Sequence, residues 1–120
     1  LENTMIALRD NNESLVTKIR DEDDILDSIY RAVKMYMAKI TRESLDPAEA
    51  GQYLYILNYA TNLESAGDTI DKSLMEMARK KIKSRAHFSR GGWEEILGIH
   101  NLVLETVRLA QNVFVSSDQD

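Results

Sequence analysis

A single proline, Pro47, and only five glycines punctuate 120 residues. A chain with so few breakers can run as long helices and has little chemistry for a strand-and-turn fold. Apolar residues also recur at steps of three and four, the helical period. From the start to about Glu43 the stripe is Met5, Leu8, Asn12, Leu15, Ile19, Glu22, Leu26, Ile29, Val33, Tyr36 and Ile40. One unbroken helix of that length would span about 60 Å. Its two polar members, Asn12 and Glu22, read as register-setting seam positions.

Asp46, Pro47 and Glu49 spell a helix start: an N-cap, a proline at the first position and the acid of a capping box. The second helix is expected over 47–84, with Ala60, Leu63, Gly67, Ile70, Leu74 and Met77 on its inner face. Its basic end, Arg79 to Arg85, complements the negative pole of the helix dipole. Ser89 then caps a third helix, about 90–116, with Phe88 as a staple residue. The expected architecture is all-α, an antiparallel up-down-up bundle of three long helices. The third helix carries Leu97, Ile99, Leu102, Leu109 and Val113 away from its Trp93, Ile96 and Val103 face. A helix apolar nearly all round needs neighbours on more than one side. Self-association through this helix, or further helices in a longer polypeptide, would supply them.

Composition excludes several classes. There is no cysteine, so neither disulfides nor a thiolate metal site is available. A net charge of -5 argues against nucleic acid as a partner. No apolar run approaches the length of a membrane span, so this piece reads as soluble. The opening residues carry no signal peptide and look mid-helix, as if cut from a longer chain. No phosphate-cradling loop, no metal-binding Glu-x-x-His pair and no nucleophile elbow is present. The expectation is a protein without catalysis. A phosphotransfer module would have to use His100, which on an apolar face is more simply a core histidine.

The acids are less ordinary. Glu64, Asp68 and Asp71 follow helical steps along one strip, and Gly67 stands among them. Like charges at that spacing repel, and a mid-helix glycine costs about 1 kcal/mol against alanine. Two unfavourable choices coincide in one turn. Asp23 and Asp27 repeat the four-residue spacing in the first helix, with Asp24 beside them. If the pairs meet across a groove they form an all-oxygen site, which selects hard cations. If they do not, they are a solvated acidic face.

Asn62 to Leu74, containing Leu63-Glu64-Ser65-Ala66-Gly67-Asp68, resembles the signature helix of the PhoU family. Asp24 to Tyr30 is similar to that family's first-helix segment. Phe88 to Ile96 and Leu109 to Asp118 resemble the PhoU-like domain appended to bacterial sodium/phosphate cotransporters. The likeness covers nearly the whole chain. It implies one half of a six-helix domain, serving as a regulatory or scaffolding part on the cytoplasmic side of the inner membrane. Its implied partner is the transmembrane part of the same polypeptide. The family's metal-binding E(D)xxxD motifs fall on Glu64 and Asp68, and on Asp23 and Asp27, with Asp24 and Asp71 as further candidates. The implied cofactors are divalent or iron-type ions. Ser65-Ala66 stands where the family commonly has Arg-Ile, which removes a cation beside the acids.

Overall fold

A computed structural model describes residues 1–117, all of them helix or connection, with no strand among the described residues. Asp118, where the family likeness ended, lies outside them. The helices are α1 (Glu2–Asp10), α2 (Glu13–Ile40), α3 (Pro47–Asp68), α4 (Met75–Ser84) and α5 (Arg90–Ser117). A π-helical turn, Thr69–Leu74, joins α3 to α4 without a break in direction.

The expected first helix, residues 1–43, is two helices. Asn11 takes the left-handed conformation (φ 52°, ψ 41°), and the Asn12 side chain accepts a hydrogen bond from the Leu15 amide at 3.1 Å. Asparagine tolerates left-handed backbone better than other side-chain-bearing residues and is a strong N-cap. Two in succession therefore end one helix and start the next, so Asn12 is a cap and not a seam residue. α1 folds back along α2, which brings Leu1 beside Glu22 and Asp23. Lysine from α4 secures the corner. Lys81 Nζ donates to the Leu8 carbonyl at 2.8 Å and to Asn11 Oδ1 at 2.6 Å. It satisfies a carbonyl that the end of α1 leaves without a helical partner.

At the other connection the capping box is complete. Asp46 Oδ1 accepts from the amides of Ala48 (2.8 Å) and Glu49 (2.9 Å), and Glu49 Oε2 accepts from the Asp46 amide at 3.0 Å. α3 returns along α2, and α4 continues onto α1. The core gathers where α1, α2 and α4 meet, from Ala7, Leu8, Val16, Ile19, Met75 and Ala78, with Trp93 of α5 against it.

The π turn changes which residues enter that core. The sequence period put Met77 inside; Met77 is 58% exposed and Met75 is fully buried. An α-helix advances about 100° per residue, whereas the wider i→i+5 turn advances roughly 80–85°. Over six residues the lag is close to one full residue step, so Met75 arrives where α periodicity would place Leu74. Glu22 differs too: it is exposed and paired with Lys18 at 3.9 Å, while its neighbour Asp23 points inward.

α5 runs back from Trp93 until Phe114 stacks on Tyr59, with ring centroids 4.0 Å apart, and on Tyr55 at 5.5 Å. Its outer side leaves Ile99, Leu102, Leu109, Val113 and Val115 exposed. The molecule measures 57 × 24 × 15 Å, with a radius of gyration of 18.0 Å. A compact chain of this length would have about 14 Å.

Candidate metal centre

The site forms where Gly67 lets α3 approach α2. A β-carbon on Gly67 would stand 2.6 Å from Leu26 Cδ2 and 2.8 Å from Asp23 Oδ1. Glycine is favoured here by contact, not by backbone angle: a β-carbon would push the ends of Leu26 and Asp23 aside. The gap it leaves is taken by a carboxylate, so the mid-helix glycine and the acid cluster are one feature.

Asp23, Asp27 and Asp68 each bring a carboxylate oxygen within 4.8 Å of the other two. Asp23 is only 6% exposed, and Asp27 and Asp68 are half-buried. The Oδ1 atoms of Asp23, Asp27 and Asp71 are shielded from solvent and have no hydrogen-bond partner. Buried oxygens of this kind are normally satisfied. Glu64 is half-buried one turn before Asp68 and interacts with it. Asp24 is exposed and stays outside the cluster, pointing along another face of α2.

The electrostatics follow from crowding. Burial pushes the Asp23 carboxyl up to about 6, helped by repulsion from Asp27, Asp68 and Asp71. Desolvation also raises Glu64, with the Asp68 charge adding to it. Asp68 is held below the usual carboxylate range, first by its hydrogen bond from Lys72. Lys72 Nζ lies 2.9 Å from Asp68 Oδ1, and that contact raises the lysine in turn. Lys72 therefore supplies a cation that Ser65-Ala66 does not. The four-residue spacing of Asp68 and Lys72 is the sequence signal of this helical ion pair.

The donor set fits a hard cation. Metal–oxygen bonds to such cations run roughly 2.0–2.6 Å, so ligand atoms around one ion sit no more than about 4–5 Å apart, and the three oxygens here lie within 4.8 Å of one another. Two of the three carboxylates, Asp23 and Asp27, each carry an oxygen without a partner that an ion would satisfy. Such an ion would supply positive charge that offsets repulsion between α2 and α3. Tyr30 Oη and Thr61 Oγ1, 2.9 Å apart, tie the same two helices further along. His100 is half-buried on α5.

No helix among the described residues is long and apolar enough to cross a membrane. The family profile described as "PhoU domain" matches residues 1–77, which include all six candidate acids. The chain is 32% identical over 106 residues to the "Putative inorganic phosphate export protein YjbB" of Salmonella typhimurium, and 31% identical to the protein of that name from Escherichia coli K12. Each alignment covers 88% of this chain and 19% of the relative, so the chain spans about a fifth of their length. No solved structure matches it. With most of the chain covered by one profile, and its glycine-centred acid cluster inside the match, the chain belongs to the PhoU domain family.

Proposed function

We propose that the chain is a non-catalytic regulatory domain of a phosphate-transporting membrane protein, and that it binds a hard divalent or iron-type cation between α2 and α3. The phosphate part of this reading rests on the family and on the printed name of the relatives. The cation part rests on one observation: a carboxylate that is 6% exposed, with an oxygen lacking any partner, facing two more carboxylates. Asp23, Asp27 and Asp68 would hold the ion, with Glu64 beside them. An ion there would pull α2 and α3 together at the Gly67 contact, and its occupancy would be the signal passed on.

The finer assignment follows the resemblance. The parent is a sodium-coupled transporter whose membrane part belongs to the same polypeptide, and this domain faces the cytoplasm. The uncovered side of α5 is its contact with the other half of the family's six-helix domain or with a second copy. Isothermal titration of the 120-residue chain with Mn²⁺, beside Asp23→Asn/Asp68→Asn, tests the cation part. Heat and a raised melting temperature in the parent chain alone are expected. Equal traces for both proteins end it. The reading frame around the chain tests the rest: a series of apolar spans is expected, and their absence overturns it.

A further inference from the structure

The six-residue π turn begins directly after Asp68 and contains Asp71. Turns of this width are rare in helices and gather at functional sites. Here the turn has a specific geometric effect. Gly67 faces α2 at contact distance. With α spacing of about 100° per residue, Asp71 would stand about 40° to one side of the Gly67 direction. With the slower advance of the π turn, roughly 80–85° per residue, it comes back to about 5–20° past that direction. The wide turn thus swings the Asp71 carboxylate from the flank of the helix toward α2, where Asp23 and Asp27 stand. The result is visible: Asp71 Oδ1 is shut off from solvent and has no hydrogen-bond partner. The same rotation buries Met75 and expels Met77.

Asp71 lies outside the trio whose oxygens are within 4.8 Å of one another. We propose that Asp71 accepts a hydrogen bond from a water of the bound cation, and that the π turn is the device that aims it there. This rests on the cation reading of the cluster and deepens it. Small hard cations keep several waters when carboxylates bind them. Acceptors for those waters orient the site, and losing one typically weakens binding 10–100-fold. The unpaired acid in the wide turn is suited to that task.

Two variants separate this from a structural role. Asp71→Ala removes the acceptor. Deletion of Ser73, an exposed residue of the π turn, removes the extra residue and restores α spacing while α4 keeps its buried face. In Mn²⁺ calorimetry both should bind roughly tenfold or more weakly than the parent chain. The cation-free melting temperature of Asp71→Ala should not fall. Trp93 emission, which reports the core behind α4, should be unchanged in both. Parent-like Mn²⁺ affinity in Asp71→Ala overturns the proposal. Parent-like affinity in a Ser73-deleted chain with intact Trp93 emission overturns the role of the turn. Should that deletion disturb Trp93, Asp71→Ala alone decides. No Mn²⁺ heat from the parent chain would instead end the cation reading and this one with it.

Discussion

Asp23 Oδ1 lies 2.8 Å from the point where Gly67 would carry a β-carbon. An added methyl must displace both that carboxylate and the end of Leu26, which is closer still at 2.6 Å. Gly67→Ala should gain about 1 kcal/mol in helix propensity and lose about 1–3 kcal/mol to overpacking. The expected net is a loss of stability with Mn²⁺ binding abolished, read by urea unfolding and calorimetry. A variant more stable than the parent that still binds Mn²⁺ would contradict the contact.

Acidification should stabilise the cation-free chain over a defined range. Asp23 rises to about 6 in the folded state, from about 3.9 in the unfolded chain. The folded state then binds more protons between pH 4 and 6, so stability falls as pH rises through that window. The loss should be on the order of 3 kcal/mol. Asp68 acts oppositely, because its depressed carboxyl weakens the fold only at lower pH still. Melting temperatures at pH 5 should exceed those at pH 7, and Asp23→Asn should flatten the difference.

Met75 and Met77 provide a test of the wide turn's register. Met75→Ala should cost about 2–5 kcal/mol as a buried truncation. Met77→Ala, on an exposed side chain, should stay within about 0.5 kcal/mol of the parent. Equal costs in denaturant melts would mean that the turn does not rotate α4 as described.

The two left-handed residues should respond oppositely to glycine. Arg85 ends α4 at φ 54° and is exposed. Relief of its backbone by Arg85→Gly should raise stability by roughly 0.5–1 kcal/mol. Asn11 has φ 52°, but its side chain also accepts from Lys81 and donates to the Ala86 carbonyl at 3.3 Å. Asn11→Gly should lose about 1 kcal/mol net.

Lys81→Met should loosen α1. Removing the ammonium leaves the Leu8 carbonyl and Asn11 Oδ1 without their donor, at about 1–2 kcal/mol. Faster amide exchange across α1, with α3 unchanged, is the expected signature.

These cases mark how much the sequence could reveal. All-helical character, the Asp46/Glu49 capping box and the glycine among acids follow local rules, and local rules can be read directly. The acids took one step more, because four-residue spacing places Asp23 with Asp27 but is silent on which helix face meets Gly67. Asn11-Asn12 carried its own signal, a left-handed residue followed by a cap, yet a continuous three-four apolar stripe obscured it. The Met75/Met77 exchange had none. A π turn arises from tertiary demands on both ends of a helix, and fixed α periodicity applied past Asp68 must select the wrong methionine.

At 15 Å in its shortest dimension, the chain is little more than one helix deep. A slab of that depth leaves Ile99, Leu102 and Leu109 of α5 open on one side. If a second copy covers that side it contributes to holding the chain folded, and an unfolding free energy measured on the chain would then climb with protein concentration.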